Sequence, residues 1–240
     1  MDKFLEEVEH KAAVLTDALP YIRDFVHKIV VIEYDCVEWL SGVEEKKLMK
    51  DIVLLKSVGM VPIVVHRTQM GVDKFRENKR IAKMLELCGT KAIGICGVDV
   101  ETLQMTISNG YIPVIVPNDI DNEMENIDPK DTALKVAVRM KADKLIYLSN
   151  YPGIFTDETR ENVYPRITVA EVEKLKTQRD FPKDFQDYLE HCIRAVHGGV
   201  NRAHILDGRI EHVLPIEFFS VEGAGTVIIE DENVLYKHEL

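Results

Sequence analysis

The sequence predicts an α/β protein, an αβα sandwich around a mainly parallel central sheet. Its apolar runs, VPIVV at 61–65, YIPVIV at 111–116 and LIYL at 145–148, are continuous rather than alternating, as expected of strands buried on both faces. Stretches of helical periodicity separate them, which is the pattern of a doubly wound sheet. Polar or turn-forming segments follow the strands, at HRTQ 66–69 and SNYPG 149–153, where open α/β sheets bind ligands.

Residues 3–26 place Phe4, Leu5, Val8, Ala12, Leu15, Ala18, Leu19 and Ile22 at spacings of mostly three and four. This is an amphipathic helix, expected to be interrupted near Pro20. We treat 1–26 as an N-terminal element ahead of a domain at 27–240. IVVI at 29–32 is the first strand and EYDC at 33–36 its loop; a helix over 44–58 has Leu48, Ile52, Leu55 and Val58 on one face. Strand 61–65 and a polar helix over 72–87 follow, the latter carrying KFRENKR as a solvated face.

A strand at 91–96, a helix at 99–109 and a strand at 111–116 lead into an acidic, turn-rich loop over 117–129. Asp131 and Thr132 open a helix over 132–141. After strand 145–148 come a capping-box helix over 168–176, a helix over 183–197, a strand at 203–206, and a closing segment over 217–229.

With 240 residues, 46% of them hydrophobic, the chain can bury a substantial core. Its formal charge of −11 argues against nucleic acid or an anionic membrane as the main partner. Cys36, Cys88, Cys96 and Cys192 show neither CxxC spacing nor a neighbouring histidine at metal-ligand intervals, so we expect reduced, buried or semi-buried thiols and no metal site. The first residues contain no apolar signal segment, so the KHEL ending carries no address, and a cytoplasmic protein is expected.

Five ordered segments resemble the acetylglutamate kinase branch of the amino-acid kinase family: ALPYIRDF at 18–25, KSVGMVPIVVH at 56–66, ADKLIYLSNYPGIF at 142–155, GGVNRAHILDGRIEH at 198–212 and EGAGTVI at 222–228. The resemblance spans about residues 14–229 and implies the same sandwich. In that family the first loop reads Lys-x-Gly-Gly and the second His-Gly-Gly-Gly. Glu33 stands here for the lysine, Asp35 and Cys36 for the first two glycines, and Arg67, Thr68 and Gln69 for the other three. Counting back from CIRA at 192–195 puts Tyr188 where the family has a second lysine.

Phosphoryl transfer to a carboxylate relies on close backbone N–H groups and on cations beside the phosphates. A carboxylate about 5 Å from a phosphate costs about 3 kcal/mol at an effective dielectric near 20. Exchanging lysine for glutamate therefore shifts the balance by about 6 kcal/mol, some four decades in rate. Asp131 falls where the family has its organising aspartate, although a helix N-cap accounts for it equally. Asn150 replaces the usual aspartate of the nucleotide-side turn that Gly153 completes. The segment between His66 and Tyr111 is also shorter than in the family and lacks the arginine that grips the substrate carboxylate; Arg76 and Arg80 are poor substitutes on spacing.

In arginine-sensitive members an extra N-terminal helix joins dimers into a hexamer, and arginine binds between that helix and the C-terminal lobe. Tyr21, His212, Glu217, Gly223 and Gly225 match the residues of that site. A carboxylate such as Glu217 can pair with a guanidinium, and glycine admits close approach. The resemblance therefore implies a protein that has lost phosphotransfer and serves as an arginine-sensing or structural subunit. It would be a homo-oligomer, dimer or hexamer, or be assembled with an active paralogue. No resident cofactor is expected, and MgATP should bind only weakly. The alternatives are a divergent ATP-dependent kinase of acetylglutamate or another small carboxylate or carbamate, and a protein-interaction module.

Overall fold

The computed structural model describes residues 2–34, 40–68, 71–117, 127–157, 162–233 and 236; within the first helix, side chains are described at 8, 9, 12–14 and from 16 onward. Eight strands form one sheet in the order β3-β4-β2-β1-β5-β7-β8-β6. They are β1 (Ile29–Tyr34), β2 (Val61–His66), β3 (Lys91–Cys96), β4 (Tyr111–Val116), β5 (Lys144–Ser149), β6 (Arg166–Thr168), β7 (Arg202–Asp207) and β8 (Gly225–Ile229). Pairing is parallel throughout except between β7 and β8.

The helices are α1 (Asp2–Phe25), α2 (Gly42–Ser57), α3 (Lys74–Leu87), α4 (Val100–Ser108), α5 (Pro129–Arg139), α6 (Val169–Gln178), α7 (Lys183–His197) and α8 (Val213–Phe219). One face of the sheet packs against residues of α4, α5, α6 and α7, the other against α2, α3, α8 and the end of α1. This is the predicted sandwich. The inner strands are fully buried because both faces are covered, so alternation is absent from their sequences. No helix among the described residues is long and apolar enough to cross a membrane.

Several expectations are corrected. α1 runs unbroken through Pro20. β1 continues through Glu33 and Tyr34, so Glu33 is a fully buried strand residue and not part of a loop. α5 begins at Pro129 with Asp128 as its N-cap, and Asp131 lies in the first turn; proline suits N1 because that N–H has no helical partner. Glu217 lies on α8, a helix of seven residues, too short to give a clear period. β6 was not anticipated because three residues carry no pattern. Cys192 is buried and Cys88 partly so, but Cys96 is exposed on the edge strand. Asp35, Cys36 and Gln69 lie outside the described residues.

One packing feature positions the end of β2. The Asn78 side-chain amide, on α3, donates to the Val114 carbonyl at 2.8 Å and lies 3.1 Å from His66 Nε2. His66 Nδ1 is 3.2 Å from the Arg67 carbonyl, which fixes a neutral ring with its proton on Nδ1, and burial lowers its pKa. Asn78 fits because Gly94 faces it; a Cβ there would lie 1.8 Å from Asn78 Oδ1. Gly94→Ala should destabilise the fold by about 1–3 kcal/mol through this overpacking. A lowered urea midpoint at unchanged slope checks it. Gly42→Ala, in a position with nothing within 4 Å, should show no loss.

Candidate functional site

The carboxyl ends of β1, β2 and β5 lie at the edge from which the two loops compared above lead off. Glu33 is directly opposite Val65 and Tyr147 in register. Tyr34 points to the other face, and its hydroxyl donates to Glu45 Oε1 at 2.7 Å. Arg80 then binds Glu45 and Glu77 with paired contacts of 2.5–2.8 Å. These charge-assisted bonds hold the guanidinium strongly protonated and engage it, so it is not placed to grip a substrate. This also corrects the reading of α3 as merely a solvated face, since Glu77 and Asn78 are buried.

Tyr188 is buried against Tyr147, ring centroids 5.7 Å apart. Burial raises the Tyr147 phenol well above its ordinary pKa, and the neighbouring Cys192, Glu33, Asp128 and Asp131 add to the rise. The cation beside Tyr188 is Lys130, its ammonium 4.9 Å above the ring and 3.4 Å from Asp128. Asp131 contacts His191 and Arg194, each at 3.2 Å, and so ties α5 to α7. Arg67 continues the pairing of β2, its N–H donating to the Tyr34 carbonyl at 3.1 Å, and the Thr68 hydroxyl is buried with no partner among the described residues.

In the nucleotide-side turn the Asn150 side chain is exposed while its carbonyl accepts from Arg209 at 3.0 Å. Gly153 has φ +135°, and a Cβ would lie 2.4 Å from Thr226 Oγ1. It lines a cavity of about 390 Å³ with Tyr151, Phe155, Arg179, Phe181 and Phe185.

A second site lies at the base of the sheet, between the end of α1 and α8. A cavity of about 250 Å³ is lined there by Tyr21, Phe25, Lys144, Arg166, Arg202, His204, Glu217 and Gly223, with other residues of 165 and 218–227. Three of the five residues that the resemblance assigned are brought together here: Tyr21, Glu217 and Gly223. His212 is not; it adopts φ +61° and contacts Asp51 at 2.9 Å, in a separate small cavity. Gly225 does not line the cavity either. It opens β8, where a Cβ would lie 2.3 Å from the Ile205 carbonyl, so its requirement is strand pairing.

The chemistry of this base is a chain of contacts. Lys144 Nζ is 3.5 Å from His204 Nε2. His204 Nδ1 donates to Glu217 Oε1 at 2.7 Å, and the Ala224 N–H donates to Oε2 at 2.7 Å. Gly223, at φ +68°, allows that last bond, because a Cβ would stand 3.0 Å from Oε2. Burial, then the charge of Lys144, lowers the His204 pKa to about 4, against the opposing pull of Glu217. Burial pushes Glu217 upward, but the His204 contact, the Ala224 N–H and Lys144 together hold it below the ordinary carboxylate range. The pair is therefore a neutral imidazole donating to a carboxylate.

Sequence reasoning missed Lys144, Arg166, Arg202 and His204. Only His204 left a signal, as one polar residue inside the apolar strand of 203–206.

Fold and sites together define a doubly wound α/β protein with cavities toward opposite edges of one sheet. The model for the amino acid kinase family matches residues 77–207. Acetylglutamate kinase from Syntrophomonas wolfei subsp. wolfei is 33% identical, with 92% of this chain and 98% of that enzyme covered. The same enzyme from Caldanaerobacter subterraneus subsp. tengcongensis is 31% identical, over 97% and 99%. Among solved structures, N-acetylglutamate synthase from Neisseria gonorrhoeae, complexed with coenzyme A and N-acetyl-glutamate, is similar at a TM-score of 0.78 and 22% identity, covering 92% of this chain. In complex with coenzyme A and L-arginine, that synthase is similar at 0.74 and 20%. The chain spans 63% and 65% of those synthase chains. Giardia carbamate kinase follows at 0.66 and 12% identity, with 85% of this chain and 99% of that one covered. Identities this low speak for the fold alone. The chain belongs to the amino acid kinase family, as an acetylglutamate kinase-like member.

The His204 environment predicts a pH dependence. Its folded pKa of about 4 lies below the ordinary value of 6.5, so the unfolded chain binds the extra proton between those values. Stability should be full above pH 6.5 and fall by about 3 kcal/mol from this group as pH drops to 4. The lowered carboxylates Glu217, Asp143 and Glu45 act in the same direction at the acid end. Urea unfolding of the wild type and His204→Gln at pH 7 and pH 4.5 should show a smaller acid loss in the variant.

Proposed function

We propose that the chain binds L-arginine in the cavity between α1 and α8, has lost phosphotransfer at the strand ends, and serves as an arginine-sensing or structural subunit. The observation that carries this is the cavity's charge layout. Lys144, Arg166 and Arg202 line it together with the carboxylate of Glu217, which suits a ligand with a carboxylate and a cationic group. Each Glu217 oxygen already accepts one hydrogen bond, and each retains acceptor capacity for a guanidinium. Tyr21 supplies an apolar wall. A structural relative, the gonococcal synthase, has been obtained complexed with L-arginine. At the opposite edge, a buried Glu33 and Tyr188 stand where the family resemblance calls for lysines.

A second reading, a divergent kinase, is favoured by the aromatic cavity beside Gly153, where a planar base could stack, and by relatives that are acetylglutamate kinases. One titration separates the two. At 100 times its dissociation constant, arginine should stabilise the fold by about 2.7 kcal/mol, a melting shift of about 5–10 °C. Glu217→Gln should remove most of that shift and Glu33→Gln should not. Lysine should act poorly because an ammonium lacks the guanidinium fork. MgATP should bind only in the millimolar range; a calorimetric dissociation constant below about 50 μM would favour the kinase reading.

We also propose that α1 joins copies of the chain. Val8, Val14 and Leu19 are each more than 40% exposed, and Phe25 is the one buried residue among its described side chains. Residues 1–16 can be deleted without touching Tyr21 or Phe25. Light scattering should then show a smaller assembly, and an unchanged mass contradicts the role.

A further inference from the structure

We propose that Tyr236, beyond the last strand, is a positioning residue for the carboxylate end of the ligand in the cavity between α1 and α8; the inference rests on the amino-acid-binding reading above. Lys144 and Arg202 begin adjacent strands and are directly opposite in register, 3% and 4% exposed. Like charges directly opposite on one sheet face repel, so the pair is costly unless something holds it. Both cations lie over the Tyr236 ring, the Lys144 ammonium at 4.7 Å and the Arg202 guanidinium carbon at 3.9 Å from its centroid. The negative π-face offsets the repulsion and fixes both side chains.

Tyr236 is held in turn. Its ring meets Phe25 edge-on, centroids 5.0 Å apart at 85°, and its hydroxyl donates to Asp143. Asp143 also binds Asn201 at 2.9 Å and Lys28 at 3.4 Å. Phe25, Lys144 and Arg202 line the cavity, whereas Tyr236 is not among its lining residues. It sits behind the two cations and acts through them. Lys144 also faces Phe25 at 4.8 Å and Phe218 at 5.4 Å, so three rings surround the ammonium. Tyr236 thereby links the end of α1 to the bases of β5 and β7.

A positioning role predicts an effect on one end of the ligand. The test is calorimetric titration of the full chain with L-arginine and with agmatine, which has the guanidinium and lacks the carboxylate. In the wild type arginine should bind more tightly. Tyr236→Leu, which keeps apolar bulk without a π-face, should weaken arginine about tenfold and leave agmatine unchanged, so that the preference collapses. Tyr236→Phe keeps the ring and should retain most of the preference. Lys144→Met should lose the preference with Tyr236 in place. Equal weakening of both ligands in Tyr236→Leu, or no change in either, overturns the proposal while arginine binding by the wild type stands. No arginine binding by the wild type overturns the reading on which it rests.

Discussion

Burying an ammonium, an imidazole and a carboxylate in one apolar layer is costly unless each satisfies the next. At the base of this sheet Lys144, His204 and Glu217 do so, with the Ala224 N–H closing the chain. The arrangement constrains everything around it. It keeps His204 neutral, keeps Glu217 ionised, requires a glycine at 223, and brings the short helix α8 against the end of α1. A fold that maintains such a chain retains a polarised cavity at a place remote from the strand ends where α/β sheets ordinarily work.

The two edges differ in chemistry. At the carboxyl edge, Tyr34, Glu45, Glu77 and Arg80 form a saturated network, and Lys130 is drawn to Asp128 and Tyr188. Side chains that could have met a ligand's charge are spent on one another. At the base, Lys144, Arg202 and Glu217 also have partners, and they line a cavity of about 250 Å³.

Most of the architecture was legible because double-sided burial leaves a strong mark. The runs at 61–66, 111–116 and 144–149 needed only apolar continuity to be recognised, and α7 was anticipated to the residue. Where local signals were short or conflicting, reading failed. Glu33 looked like a loop residue because a charge rarely ends a buried strand. Asp131 looked like an N-cap because it precedes a threonine, whereas Asp128 before Pro129 holds that place. The candidate sites were less legible. Tyr21, Glu217 and Gly223 followed from resemblance, but Lys144 and Arg202 sit at strand starts, where a charged residue is unremarkable until pairing places the two side by side. Tyr236 was invisible, since Phe25, Asp143, Lys144 and Arg202, which it meets, are 34 or more positions away in sequence and only the fold assembles them.

The most direct test of the account is hydrogen exchange read by mass spectrometry, with saturating L-arginine and separately with MgATP. Amide protection reports which segments a ligand stabilises. Arginine should slow exchange over 18–25, 202–206 and 214–227 and leave 61–68 and 149–155 unchanged, while MgATP should alter neither set. Protection by MgATP over 149–155 and 178–185, with none from arginine at the base, would contradict it.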